Sequence, residues 1–175
     1  MIRAPAAAEK NSKDAVAKST TVNIELDRET KIKEIIGKIR VAEQSGSYQN
    51  INQNLLKKRI KWFDKNKDLL ELIDGSDLKK AFEFIFIKYM GIDRKEIPIV
   101  HENDHKIVWH SYNWCPVLEA CKRLDLDTVK VCKNGWEESI GEMAKMINHK
   151  ISFSRNYIKI RPNSNYCEEM FEMVS

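Results

Sequence analysis

The first 114 residues of this 175-residue chain contain no cysteine. No stretch approaches the run of ~20 apolar residues that a bilayer-spanning helix needs, and Met1–Thr20 has no apolar export-signal core. The expectation is a cytoplasmic protein, away from membranes, with reduced thiols. No internal repeat is visible. A phosphate-cradling glycine loop, a G-x-S-x-G and an H-x-E with a C-x-x-C are all missing. No two cysteines stand at the close C-x2-4-C spacing typical of zinc sites. One-sided charge is absent as well. Thirty basic residues face 26 acidic ones, a net charge of +4, and this balance argues against nucleic acid as a partner.

What is present is enough apolar material for a core, 42% of residues, in a chain of single-domain length. Residues 1–20, rich in Ala, Lys, Ser and Thr without apolar periodicity, read as a disordered tail ahead of one domain over 21–175. A helical section spans about 27–91. Ile32, Ile35, Ile36 and Ile39 share one helical face. A second helical stretch runs from Ile51 to Leu72, with an interruption between Asp64 and Asp68, and a third from Leu78 to Met90. Ser76 or Asp77 is placed to cap the third helix and Gly91 to end it.

A different module follows over about 105–174. Lys106–Tyr112 is β-branched and aromatic, as in a strand. Pro116 opens a short helix to Leu124, and Asp127 caps a longer one from Thr128 to about Asn148. Ile151–Ile160 and Cys167–Val174 read as two strands around a turn at Arg161–Asn165. The expected fold is α+β: a helical N-terminal section, then an antiparallel sheet with helices packed on one face.

All four cysteines fall in this module. Cys115 precedes Pro116 and so sits near a helix N-cap, where unpaired N–H groups and the helix dipole favour a thiolate. It is the candidate nucleophile or metal ligand. Cys121 shares spacing with Leu118 and Leu124, a core stripe. Cys132 lies on a face with Val129, Trp136, Ile140 and Met143, and Cys167 stands at the mouth of the terminal hairpin. Cys115, Cys132 and Cys167 form a candidate metal set assembled in space, with zinc or iron as the candidate ion.

Around them, His110 shares a strand face with Tyr112 and is the candidate base for a thiol. Arg155 alternates with Phe153 and Tyr157, so it points with apolar residues and needs a partner. Glu169 on the returning strand is one such partner; a ligand carboxylate is another. Arg161, beside Pro162, reads as a turn residue in solvent. Lys57, Lys58, Arg59 and Lys61, interleaved with Trp62 and Phe63, read as a solvated helix face.

Cys115-Pro116 at a helix start, a lone cysteine seventeen residues later, Phe153-Ser-Arg155, and a turn closing in Tyr166-Cys167 together resemble the L-2-amino-thiazoline-4-carboxylic acid hydrolase-like proteins. More distantly, they resemble the 4-vinyl reductase-like ligand-binding domains. The resemblance covers about residues 105–174. It implies a small-molecule pocket between helices and sheet, and hydrolytic opening of a thiazoline ring on the way to cysteine. By position it carries Cys115, Cys132 and Cys167 onto the family's cysteines and Arg155 onto its basic strand residue. The expectation is thus a hydrolase-like protein acting on a small heterocyclic or sulfur-containing carboxylic acid. Cys115 and His110 are the catalytic candidates, and Arg155, Cys167, Glu169 and Tyr157 the ligand-binding ones. The alternatives are a non-catalytic ligand or metal sensor, or an interaction domain whose helices pair with another chain; a homo-oligomer is a further partner expectation.

Overall fold

The computed structural model describes the backbone of residues 8–174 and the side chains of residues 24–174. Of the tail expected over residues 1–20, residues 1–7 lie outside the described part. From Ala8 the backbone belongs to helix α1 (Ala8–Ser45). Its Ile32 and Ile39 are buried and Ile35 and Ile36 partly so, as their spacing predicts. Gly46, at φ +69°, ends the helix in a conformation that suits glycine. Helix α2 (Gln49–Asn66) follows and gives way to a 3₁₀ segment, Lys67–Leu72, which starts inside the interruption expected between Asp64 and Asp68 and runs beyond it. The Ser76 hydroxyl accepts the Lys79 N–H and caps α3 (Asp77–Phe82), which continues as a π-helical segment, Glu83–Tyr89.

Four antiparallel strands form one sheet in the order β1-β2-β4-β3: β1 (Ile99–Glu102), β2 (Lys106–Ser111), β3 (Ile151–Arg155) and β4 (Cys167–Met173). Helix α4 (Pro116–Leu124) follows β2. Helix α5 (Thr128–Cys132), capped by Asp127, passes through a second π-helical segment, Lys133–Glu137, into α6 (Glu138–Lys145). The fold is α+β, with helices packed against the sheet. The sheet has one more strand than the sequence predicts: Ile99–Glu102 is only four residues long and largely exposed, too short and too polar to signal itself by alternation. The strand expected to reach Ile160 stops at Arg155, because Asn156 leaves the ladder for a turn with the Lys159 N–H on its carbonyl.

Period-two alternation sorts β2 and β4 into two faces. Ile107, Trp109 and Phe171 are fully buried against the helices and interlock with Phe82, Phe86 and Phe153. Full burial of each such side chain contributes about 1.5–3 kcal/mol. A second cluster joins Ile32, Ile39, Val117, Cys121, Val131 and Trp136 where α1 lies on α4. The two clusters do not merge completely, and the functional candidates gather in the gap between them.

Candidate functional site

A cleft of about 510 Å³ lies between the two clusters, within the size range of small-molecule sites. Phe86 and Met90 line it from the sheet side, and Ile35, Val117 and Trp136 from the side of α1 and α4. Each π-helical segment gives it one wall residue, Phe86 and Trp136; such segments often accompany functional sites. Cys115, Cys132, Cys167, Arg155 and Glu169 all line this one cleft, although they come from four different parts of the chain.

Glu169 and Arg155 form the polar floor. They are cross-strand neighbours on β4 and β3, and the Arg155 Nε donates to Glu169 Oε1 at 2.8 Å. Glu169 is 6% exposed. Its other oxygen accepts from Trp109 Nε1 at 3.2 Å and Ser111 Oγ at 2.5 Å. Desolvation disfavours the charge on Arg155, but the opposing attraction of Glu169 wins, so the net effect raises its proton affinity and the guanidinium stays charged. Its side chain is 10% exposed, and its Nη1 is enclosed with no hydrogen-bond partner. The nearest second carboxylate, Glu137, stands 4.0 Å from Nη1, and Glu137 already accepts the Tyr157 hydroxyl. A buried charged donor left without an acceptor is costly.

Tyr157 is not part of the cleft lining. It lies beyond the end of β3 and is tied to Glu137 under the Lys133 ammonium. Its hydroxyl donates to Glu137 and not into the cleft.

Cys115 occupies the N-cap of α4, as expected. Burial nonetheless pushes its thiol up, outweighing the downward pull of the Leu118 and Val117 N–H groups and of Arg161. The helix terminus acts in the expected direction and is outweighed by burial. Burial pushes Cys132 up as well, and Cys121, buried in the core, up to about 11. All four cysteines are free.

The candidate metal set does not assemble. Among the described residues, no group of three or more His, Cys, Asp or Glu side chains lies close enough to hold a metal ion. The three thiols ring the cleft from separate elements. Their neighbours are cations, with Arg161 acting on Cys115 and bonding Cys167, and Arg155 acting on Cys132. These guanidinium charges oppose a second positive charge, and burial opposes thiolates at Cys115 and Cys132.

His110 also lies elsewhere. It pairs with Glu168 across the sheet, on the face opposite Trp109 and Ser111. Its Nε2 is 3.0 Å from Glu168 Oε2, and its ring stacks on Tyr166 at 3.8 Å. His110 does not line the cleft, so it is not positioned as a base for Cys115. Alternation already separated His110 from Trp109, but which face carries the helices was set by packing.

Sequence reasoning misplaced two arginines: Arg59, expected on a solvated helix face, is buried and donates to Ser139, and Arg161 was missed at the cleft. It is not free in solvent: its Nε donates to Cys167 Sγ at 3.4 Å, and its Nη1 to the carbonyls of Asn113 at 2.8 Å and Tyr112 at 3.3 Å. No local pattern marks a residue that is fixed by a segment almost fifty positions away. Arg28 of α1 reaches the same cleft and lies over the Trp114 ring at 5.1 Å. A separate depression of about 470 Å³, near Tyr48 and Asn52, is polar, and its one lysine, Lys130, is held by Glu43 at 2.9 Å.

No protein-family model, curated protein or solved structure matches this chain. Among the described residues, no helix is long and apolar enough to cross a membrane.

Proposed function

We propose that the cleft binds a small carboxylic acid with an apolar, heterocyclic or sulfur-containing body. The observation that carries this reading is the Arg155 guanidinium, buried on the cleft floor with Nη1 unpartnered. A carboxylate is the planar two-oxygen acceptor that suits such a fork. Phe86, Val117 and Trp136 supply the apolar walls for the rest of the ligand. The resemblance to the thiazoline-carboxylate hydrolase-like proteins supports the same class of ligand.

The three thiols in the wall favour a second reading, in which the bound acid is hydrolysed. Cys115 with a His110 base is not the arrangement for it, since the histidine faces away from the cleft.

Titration calorimetry with L-2-amino-thiazoline-4-carboxylic acid and with the same ring lacking its carboxyl group tests the proposal. The acid should bind and the decarboxylated ring should not. Arg155→Lys should weaken binding about tenfold, the loss of one charge-assisted hydrogen bond. Equal binding of the two compounds would refute the reading. Release of free cysteine or its carbamoyl derivative, followed by chromatography, separates hydrolysis from binding alone.

A further inference from the structure

We propose that Cys167 is the reactive thiol of the cleft, and that it attacks an electrophilic carbon of an acid held at Arg155. The inference rests on the acid-binding reading and adds to it the attacking atom and the class of ligand.

Cys167 is the one cleft thiol that receives an arginine N–H, from Arg161 Nε at 3.4 Å. The guanidinium is fixed from behind by the Tyr112 and Asn113 carbonyls. No carboxylate pairs with Arg161 among the described residues, so the sulfur is the only side-chain acceptor it meets there. Arg161 is therefore a positioning residue. Burial pushes the thiols of Cys115 and Cys132, the other two in the wall, up, and neither receives an arginine N–H among the described residues.

Placement agrees with chemistry. Cys167 opens β4, and Glu169 stands two residues on, on the same face, with Arg155 directly opposite on β3. Two residues of strand span roughly 7 Å, about the length of a four- or five-atom ligand. An acid anchored at Arg155 thus has its second or third carbon within reach of the sulfur. The ligand class is a short carboxylic acid with an electrophilic carbon at that distance, such as a cyclic C=N carbon. In the attack Sγ gives up its proton and forms an S–C bond. The C=N π pair moves to nitrogen, which takes up a proton, so no further reagent is consumed. The reverse step restores the thiol.

Iodoacetate and iodoacetamide are suitable probes, one with a carboxylate and one without. Each forms the S–C bond and expels iodide. The intact protein is treated with each in turn, and the modified cysteine is located by peptide mass spectrometry as a function of time and reagent concentration. The expected result is modification of Cys167 first, at a rate that saturates with iodoacetate and rises linearly with iodoacetamide. Arg161→Ala should slow labelling of Cys167 about tenfold while Arg161→Lys, which keeps a cation there, retains most of the rate. Saturable iodoacetate labelling at Cys115 or Cys132 would overturn the assignment to Cys167 and leave acid binding standing. Unsaturated labelling of Cys167 at one rate by both reagents would overturn delivery from Arg155, and calorimetry with unreactive acids would show whether acid binding falls with it. If Arg161→Lys loses as much rate as Arg161→Ala with both variants folded by circular dichroism, Arg161 is only a loop anchor and the proposal fails.

Discussion

Two adjacent carboxylates, Glu168 and Glu169, point to opposite faces of β4 and meet opposite fates. Glu168 faces outward, where Asn156, His110 and Lys159 all reach it, at 2.8, 3.0 and 3.0 Å. Desolvation works against its charge, but the hydrogen bonds from Asn156, Lys159 and His110 hold its carboxyl down to about 2. Glu169 faces the cleft and is surrounded by Trp109, Ser111 and Arg155. Both carboxylates are satisfied; the difference lies in their basic partners. His110 stacks on Tyr166 and Lys159 reaches water, whereas Arg155 is enclosed with Nη1 unanswered. The outer network is complete and stabilises the sheet. The inner one lacks an acceptor, which the proposed carboxylate would supply.

The sharpest break of this contrast is Glu169→Ala. It leaves the Arg155 charge buried without its partner and two further donors, Trp109 Nε1 and Ser111 Oγ, unpaired. The expected cost is about 3–5 kcal/mol in denaturant unfolding. Replacing both partners, Arg155→Met with Glu169→Met, should cost less, because no unpaired charge is left buried, although Trp109 Nε1 and Ser111 Oγ still lose their acceptor. That double variant should fold yet bind no carboxylic acid. A double variant as unstable as Glu169→Ala would show that the pair exists for the fold and not for a ligand.

The inner pair was legible in the chain, because alternation put Arg155 with apolar residues and a hairpin put Glu169 within reach. The α+β order, the Ser76 and Asp127 caps and the core position of Cys121 followed from equally local rules of spacing and capping. Three things were not local. The acidity of Cys115 depended on how deeply α4 is buried under α1, which no helix-start rule contains. The position of Arg161 depended on the Tyr112 and Asn113 carbonyls, almost fifty positions away in the chain. The side on which His110 fell depended on where the helices packed. Each is a contest between a short-range effect visible in sequence and a long-range desolvation or packing effect that is stronger.

On the outer face, Glu168→Gln should shift the acid limb of stability. A carboxyl held near 2 against an ordinary 4.5 contributes stability that is fully present above about pH 4.5 and is lost as the pH falls through its folded value. Wild type should therefore exceed the variant in melting temperature at pH 6, and the gap should close between pH 4.5 and 2. A gap that stayed constant down to pH 2 would mean that Glu168 is ionised no more readily in the folded chain than in the unfolded one.

The smallest effect is expected at His110. With one side in water and Lys159 and Asn156 still on Glu168, His110→Ala removes one partner of three and one aromatic stack. The loss should be about 1 kcal/mol, and neither carboxylic-acid binding nor the rate of Cys167 alkylation should change, because the sheet itself separates this ring from the cleft. A variant that keeps its melting temperature but loses acid binding or thiol reactivity would place His110 in the chemistry after all. The two faces of β4 would then have to be read as one coupled site and not as a completed network backing an open one.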